Sequence, residues 1–281
     1  MTEVYDDRRC DLGEGPLWHP ERGQLFWFDI LGRRLLSRDA SGPLDWNMGE
    51  HASAAGWVDR DTLLIATETG LERFDIASGA RERIAPLEAD RADMRSNDGR
   101  ADPMGGFWIG TMGKDAAPRA GTIYRFHRGR VERLFSDITI PNAICFAPDG
   151  RRGYYADTVR QKVWTVALDA EGWPEAGPQV FLDLRDDGLN PDGAVTDAEG
   201  ALWIAQWGAG RVARYLPDGR FDRAVPVPAR QPSCPAFGAE GFDRLYVTTA
   251  LEGLAASRPE EGQVFVLSPG VTGRAEPRVV L

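Results

Sequence analysis

Residues 190–207 read NPDGAVTDAEGALWIAQW. An Asp-Gly step at Asp192 precedes a short apolar run, Glu199-Gly200 is a turn signal, and a second apolar run rich in Trp follows. Apolar runs of this length on either side of a Gly-containing turn predict a β-hairpin, with a carboxylate at the start of its first strand. One hairpin decides little by itself, but the same order of features recurs along the chain.

Six segments repeat this pattern. They begin at Glu14, Ser53, Asn97, Asn142, Asp192 and Ser233, which are spaced by about 40 to 50 residues, the period of a four-stranded propeller blade. Apolar second strands are predicted at 25–28, 63–67, 107–111, 153–156, 202–205 and 245–249, and third strands at 121–126, 163–166, 212–215 and 263–267. Because Gly and Pro interrupt nearly every window, no amphipathic helix competes. The sequence predicts an all-β six-bladed β-propeller with four-stranded blades, forming a single domain over residues 1–281.

Such a ring must close, and it usually closes by pairing a strand from one terminus into the blade built by the other. We therefore expect residues 2–9 to join the last blade beside residues 278–281, so that terminal strands close the ring.

Charge and composition limit the partners. The formal net charge is −10, whereas binding to nucleic acid or to an anionic membrane surface requires concentrated Lys and Arg. The partner is expected to be a small molecule, with no nucleic acid and no membrane involved. The first eleven residues are charged and no apolar run is long enough to span a bilayer, which predicts a cytoplasmic protein. We expect a monomer or weak homodimer. Cys10, Cys145 and Cys234 are odd in number and widely spaced, which indicates reduced, structural thiols.

The starts of the six repeats are expected to meet. In a propeller the first strand of each blade lines the central channel, so equivalent positions converge at one face. Four of them carry side-chain oxygens, namely Glu14, Asn97, Asn142 and Asp192, while the two serines leave space. Loops after the second strands return to the same face, and we expect them to form the rim: those beginning at Asp29 and Asp157, and residues 113–120, 207–210 and 251–262.

This convergence predicts a metal site. Two carboxylates and two carboxamides in a narrow channel are costly to desolvate together unless a cation lies between them. Oxygen ligands favour calcium, magnesium or manganese, and iron(II) and zinc also accept carboxylates, so one divalent metal ion of open identity is expected. The alternative is that these residues are Asx-type turns that cap strand ends.

Four motifs, taken in order, resemble a known family. Residues 12–18 (LGEGPLW), 95–99 (RSNDG) with 110–112 (GTM), 141–142 (PN), and 191–193 (PDG) with 202–203 (LW) are similar to the gluconolactonase, regucalcin and senescence-marker family of six-bladed propeller sugar lactonases. The similarity spans nearly the whole chain. This sequence departs from the family at Ala143, where Gly is usual, and at residues 234–237 (CPAF), a difference expected to alter the shape of the pocket.

The resemblance implies a role for each matched residue. Glu14, Asn142 and Asp192 match the family's metal ligands, and Arg95 and Asn97 match its substrate-contacting pair. Asp115 falls where the family often has an acidic residue. The implied activity is metal-dependent hydrolysis of a sugar lactone to the sugar acid, on an aldono-1,4- or 1,5-lactone such as xylono-, arabinono- or gluconolactone.

The residues are consistent with that chemistry. A divalent metal polarises a lactone carbonyl and activates water without a Ser-His pair, and the sequence contains no Gly-x-Ser-x-Gly elbow. We expect structural or surface roles for the histidines His19, His51 and His127. Asp192 is the candidate to orient or deprotonate water.

Several alternatives stay open. Trp207 is either a wall on which the sugar stacks or a packed blade aromatic. Arg95 either holds the substrate or is a charge partner for Asp93 or Asp98. The whole chain could instead be a non-catalytic divalent-ion (calcium) binding protein, or a phosphotriesterase or esterase on the same scaffold.

Overall fold

The computed structural model describes residues 2–281. Within that range the strands form six four-stranded antiparallel sheets arranged in a ring, so the predicted six-bladed β-propeller is confirmed. The described residues contain no helix that is both long enough and apolar enough to cross a membrane.

The strands are numbered in chain order, beginning with β1 (Thr2–Asp6). Blade 1 contains β2 (Gly13–His19), β3 (Gln24–Asp29), β4 (Arg34–Asp39) and β5 (Gly42–Asn47). Blade 2 contains β6 (Ala52–Asp59), β7 (Thr62–Thr67), β8 (Gly70–Asp75) and β9 (Arg81–Pro86). Blade 3 contains β10 (Met94–Ala101), β11 (Phe107–Gly113), β12 (Gly121–His127) and β13 (Arg130–Ile138).

The remaining blades follow the same order. Blade 4 contains β14 (Pro141–Phe146), β15 (Arg152–Asp157), β16 (Lys162–Ala167) and β17 (Gln179–Asp183). Blade 5 contains β18 (Asn190–Thr196), β19 (Leu202–Trp207), β20 (Arg211–Tyr215) and β21 (Phe221–Pro226). Blade 6 contains β22 (Pro232–Gly238), β23 (Arg244–Thr249) and β24 (Val264–Leu267), and β1 is its fourth strand.

The N-terminal strand closes the ring, as expected. β1 pairs antiparallel with β24, so that Thr2 lies opposite Leu267 and Val4 opposite Phe265. The expectation that residues 278–281 lie beside β1 is wrong. That segment contains no strand, and its Val279 and Val280 amides donate to carbonyls of Trp57 and Gly105 in blades 2 and 3. The third-strand position, on the inner side of β1, is occupied by β24.

Burial decreases from the inner strands to the outer ones. Every residue of β3 is buried, whereas β5 alternates half-buried and exposed positions. The apolar side chains of the second strands pack between neighbouring blades. Phe26 and Phe28 of β3 in blade 1, for example, meet Leu63 and Ile65 of β7 in blade 2. A strand buried on both faces reads as a continuous apolar run, which explains why the second strands were the clearest signals in the sequence.

The first strand of each blade, called here the inner strand, has a β-bulge or shift of register near its start. Strand pairing shifts register between Glu14 and Leu17 in β2 and between Pro191 and Ala194 in β18, and the same interruption occurs in β6, β10, β14 and β22. A β-bulge bends a strand and redirects its side chains. The repeated carboxylates and carboxamides are thus placed where the strand departs from regular pairing.

Candidate active site

A cavity of about 590 Å³ opens at the face where the inner strands begin. The residues predicted from the sequence all line it, namely Glu14, Arg95, Asn97, Asp115, Asn142, Asp192 and Trp207. Five of them come from the inner strands β2, β10, β14 and β18, and the other two from loops or strand ends at the rim. The propeller therefore brings together side chains that are far apart in the sequence.

Two buried carboxylates form the floor of the cavity. Glu14 is 7% exposed and Asp192 is 4% exposed. Burial, followed by repulsion from Asp98, raises the pKa of Glu14 to about 8. Burial, followed by repulsion from Glu14, raises the pKa of Asp192 well above its ordinary value. The two groups are close enough to oppose each other's ionisation, which is the conflict that a cation resolves.

A chain of hydrogen bonds joins the polar residues around this floor. The Arg95 guanidinium donates to Asn97 Oδ1 at 2.7 Å, and Asn97 Nδ2 donates to Asn142 Oδ1 at 3.0 Å. Asn142 Nδ2 donates to Thr158 Oγ1 at 2.8 Å, and Thr158 Oγ1 donates to the carbonyl of Pro191, next to Asp192, at 2.8 Å. Because both its amide oxygen and its amide nitrogen are engaged, the Asn142 side chain is held in one orientation.

Arg95 has no ion-pair partner among residues 2–281. The alternative that it pairs with Asp93 or Asp98 is wrong, because Asp93 pairs with Arg91 at 2.9 Å and Asp98 Oδ2 accepts from the Ile144 amide at 2.7 Å. Arg95 is 6% exposed, and burial lowers its pKa against the opposing influence of Glu252, Glu14 and Asp192. Arg95 lines the cavity, and its Nε and Nη2 have no hydrogen-bond partner among residues 2–281.

The donor set fits a divalent metal ion. Across residues 2–281 no three His, Cys, Asp or Glu side chains lie together as a metal-binding group, so an imidazole or thiolate site is absent there. The cavity offers instead two carboxylates and the Asn142 amide oxygen, which suit a hard cation. Burial is the main cause that raises the pKa of both carboxylates, and Arg95 offsets it only in part for Glu14, so a bound cation would favour their ionised forms.

The two predicted rim residues differ in their surroundings. Asp115 is exposed, and its Oδ1 accepts a hydrogen bond from the Ala117 amide at 3.1 Å, which shapes its own loop. Trp207 is half-buried at the end of β19; it lines the cavity and also packs against apolar residues of the neighbouring core. The packing of Trp207 is thus established, and its role as a wall on which the sugar stacks stays a prediction.

The sequence analysis missed four polar residues of the cavity: Lys114, Thr158, Gln231 and Glu252. Lys114 lies 3.1 Å from Glu68 and donates to the carbonyl of Ala92 at 2.9 Å. Lys114 and Glu252 belong to loops that had been assigned to the rim, so their positions were predictable although their side-chain directions were not.

Two other expectations need correction. The loop at Asp29 does not reach the cavity, because Asp29 instead accepts hydrogen bonds from the amides of Leu12 and Gly32 and pairs with Arg34. Residues 234–237 do not line the cavity, so any effect of Cys234 on its shape is indirect. Cys234 is fully buried below the floor, where a Cβ on Gly193 would come within 2.3 Å of its Sγ, so Gly193 is the residue that lets blades 5 and 6 approach.

The histidines lie away from the cavity, as far as the described residues show. His19 is buried with Nε2 3.0 Å from the Asp59 carbonyl, and His51 lies 2.5 Å from Glu68. These contacts agree with the structural roles expected for them.

Comparisons with known proteins agree with one another. The sequence model of the family described as SMP-30/gluconolactonase/LRE-like region matches residues 12–251. A protein of Azospirillum brasilense named L-arabinolactonase is 38% identical, over 99% of this chain and 95% of its own length. One of Pseudomonas putida named 6-deoxy-6-sulfogluconolactonase is 33% identical, over 95% of this chain and 94% of its own length. The crystal structure of a calcium-binding protein, regucalcin, from Agrobacterium tumefaciens has a TM-score of 0.98 and 41% identity, covering 100% of this chain and 98% of that one.

Proposed function

The chain belongs to the SMP-30/gluconolactonase/LRE-like family, and from that premise we propose that it hydrolyses a sugar lactone to the sugar acid with a divalent metal ion held by Glu14, Asn142 and Asp192. The observation that carries the proposal is the pair of buried carboxylates beside an unpaired Arg95 on the floor of one cavity. Relatives named as lactonases at 33–38% identity, over nearly the whole chain, support the substrate class.

The cavity suits a neutral cyclic ester. Its volume of about 590 Å³ is in the range of small-molecule sites and leaves room for one sugar ring. Leu12, Met112 and Ile140 supply apolar wall, and Trp207 offers a face on which a ring can stack. The proposed substrate is an aldono-1,4- or 1,5-lactone, and the proposed substrate contacts are Arg95, Asn97, Asp115 and Trp207.

Each residue of the site has a separate role in the proposed reaction. A bound divalent ion supplies positive charge near the ester carbonyl and lowers the pKa of water. Asp192 receives no side-chain hydrogen bond from the described residues, so an oxygen is free to take a proton from the attacking water. The proposed role of Arg95 is to donate to the oxygen on which negative charge develops. Asn97 and Thr158 hold Asn142, which limits reorganisation during the reaction.

The test is a panel of aldonolactones incubated with the purified protein, with acid release followed with and without chelator and corrected for spontaneous ring opening. We expect at least one pentono- or hexonolactone to be hydrolysed, and the activity to disappear with chelator and return with added metal. Asp192→Asn should lower kcat by about 10² to 10⁴ with the fold unchanged, the usual contribution of a general base. Near-normal rates in that variant with metal bound would contradict the role of Asp192.

A second candidate function is favoured by one observation, the similarity to a solved structure described as a calcium-binding protein. In that case the protein binds calcium with high affinity and turns over none of the lactones. A phosphotriesterase or esterase would hydrolyse open-chain esters in preference to lactones, so the same panel with aryl ester and phosphotriester members separates all three.

A further inference from the structure

The end of the chain crosses the face opposite the cavity. The Thr272 carbonyl accepts from the Ala198 amide at 2.9 Å, Gly273 donates to Phe242, and Val279 and Val280 donate to Trp57 and Gly105. These contacts lie at or near the turns that join the first and second strands of blades 5, 6, 2 and 3. Residues 271–281, called here the C-terminal strap, therefore span the far mouth of the channel.

The strap places a carboxylate inside the channel. Glu276 is 8% exposed and pairs with the guanidinium of Arg100, which comes from β10 and is 7% exposed. The Trp57 indole donates to the Glu276 carbonyl at 2.7 Å and holds the strap at that point. Arg274 in the same segment donates to the Phe146 carbonyl and to Thr196 Oγ1, each at 3.2 Å.

Arg100 in turn connects three inner strands. Its Nε donates to the Ile144 carbonyl in β14 at 3.1 Å, and its Nη2 donates to the Ala194 carbonyl in β18 at 3.0 Å. Ile144 stands two residues after Asn142, and Ala194 two residues after Asp192. One planar group thus sets the separation of the two strands whose bulges present Asn142 and Asp192 to the cavity.

A buried ion pair is a poor way to gain stability, because well-packed apolar residues of similar volume often serve as well or better. A guanidinium does offer something that apolar packing lacks, which is a rigid fork of donors that fixes the geometry of its acceptors. It requires a buried counter-charge, and Glu276 supplies it. The pair is thus better explained by geometry than by stability.

We propose that Arg100 and Glu276 are positioning residues for the cavity: Glu276 holds Arg100 in the channel, and Arg100 fixes the spacing of the strands that carry Asn142 and Asp192. This inference rests on the proposed function for what the spacing serves, namely the binding of a divalent ion. It predicts that changes on the strap, at the opposite face from the cavity, alter metal affinity.

The experiment compares Glu276→Gln, Glu276→Ala and Arg100→Met with the wild type and with Arg125→Met. Arg125 is the matched control because it is also a fully buried guanidinium paired with a buried carboxylate, Asp102, at 2.7 Å, but it bonds to neither β14 nor β18. All these variants should melt at lower temperature. Calorimetric titration of metal-stripped protein with CaCl₂ and with MnCl₂ should show affinity weakened by about 10- to 100-fold in Glu276→Ala and Arg100→Met, as when groups that orient metal ligands are removed.

The remaining variants, Glu276→Gln and Arg125→Met, are the conservative variant and the control. Glu276→Gln keeps an oxygen facing Arg100, so it should lose less affinity than Glu276→Ala and is the variant to use if Arg100→Met does not fold. Arg125→Met should bind both ions as the wild type does. An equal loss of affinity in Arg125→Met, or wild-type affinity in Glu276→Ala, overturns the proposal.

A second measurement needs no metal and separates this proposal from the proposed function. Cys145 is 1% exposed and lines a small void of about 20 Å³ together with Arg100, Arg274 and Glu276. Release of the strap should make its thiol react faster with a disulfide reagent in Glu276→Ala, identified by mass spectrometry, and a crystal structure should show β14 and β18 displaced at Ile144 and Ala194. If the wild type binds neither ion, the proposed function fails, and unchanged strand positions in this variant would then overturn the positioning role.

Discussion

Arg95 and Asn97 are two residues apart on one strand and are both proposed substrate contacts, but their hydrogen bonds differ. The sequence assigned both to the substrate. In the structure the polar atoms of Asn97 are engaged with Arg95, with the Pro141 carbonyl and with Asn142, whereas Arg95 lines the cavity with Nε and Nη2 free of partners among the described residues. We infer that Asn97, besides contacting the substrate, orients Asn142, and that the free donors of Arg95 serve the substrate alone.

Replacing the two residues should separate these tasks. Arg95→Met should lower kcat/KM for the best lactone by about a hundredfold, the usual effect of removing one donor to a developing oxyanion, with metal affinity within a few-fold of the wild type. Asn97→Ala should lower kcat/KM and also weaken metal binding by about tenfold or more, because Asn142 loses the group that orients it. Steady-state kinetics and metal titration of both variants test this, and an equal loss of metal affinity in Arg95→Met would contradict it.

Gly15, which follows Glu14, shows the backbone conformation that the β-bulge of an inner strand requires. Gly15 has a φ of 53°, and a Cβ there would lie 2.1 Å from the Ser53 carbonyl of the next blade. Ala143, after Asn142, occupies the same kind of bulge with a φ of 55°. The family's usual Gly at that position is thus explained by the backbone, and this chain tolerates an alanine in a left-handed conformation there.

The two positions should respond differently to substitution. Gly15→Ala should destabilise the protein by more than about 3 kcal/mol or prevent folding, since a backbone clash adds to the cost of a left-handed alanine. Ala143→Gly should change stability by no more than about 1 kcal/mol, because the strain it relieves is offset by the freedom that glycine gains in the unfolded chain. Urea unfolding measures both, and a well-tolerated Gly15→Ala would show that the bulge can move.

The loop over the cavity is fixed by another carboxylate. Glu261 has a fully buried side chain and accepts hydrogen bonds from Arg230 at 2.5 and 2.9 Å and from the Arg258 amide at 3.0 Å. It closes the segment 251–262, which carries Glu252 at the rim. The Arg230 hydrogen bond is the main cause that lowers the pKa of Glu261 from 4.5 to about 2.

This shift predicts a pH dependence of stability. A carboxylate with a depressed folded-state pKa stabilises the fold above its unfolded pKa, and the contribution is lost as the pH falls from 4.5 toward 2. Glu261→Gln lacks this contribution at every pH. The difference in melting temperature between wild type and Glu261→Gln should therefore be largest above pH 4.5 and shrink below it. A difference that stays constant from pH 7 to pH 3 would contradict the assignment.

At the scale of the whole molecule, the parts predicted from the sequence were those encoded by local repetition. The second strands are continuous apolar runs because each is buried between two blades, and the site residues recur at the start of each repeat. The C-terminal strap has no such pattern. Residues 278–281 suggested a strand, yet their partners are Trp57, near the end of β6, and Gly105, in the turn after β10, and no periodicity in the sequence encodes such contacts. For the same reason the Arg100–Glu276 pair was not predicted.

The last prediction concerns ring closure. β1 comes from the N-terminus, whereas the other three strands of blade 6 come from the C-terminal part of the chain. Its pairing with β24 covers what would otherwise be an exposed strand edge, and Tyr5 packs against Tyr246 with ring centroids 4.9 Å apart. Deleting residues 2–6 should cost at least about 3 kcal/mol, since each backbone hydrogen bond of the strand contributes about 1 kcal/mol.

The bare edge of β24 should also promote association of the truncated protein. Tyr5→Ala keeps the backbone pairing and should cost less, which makes it the matched control. If the ring unfolds as one unit, the truncated protein should show a single urea transition at lower midpoint, with faster amide exchange in all six blades. Faster exchange confined to β24 would mean that blade 6 opens independently and that the N-terminal strand does not hold the ring together.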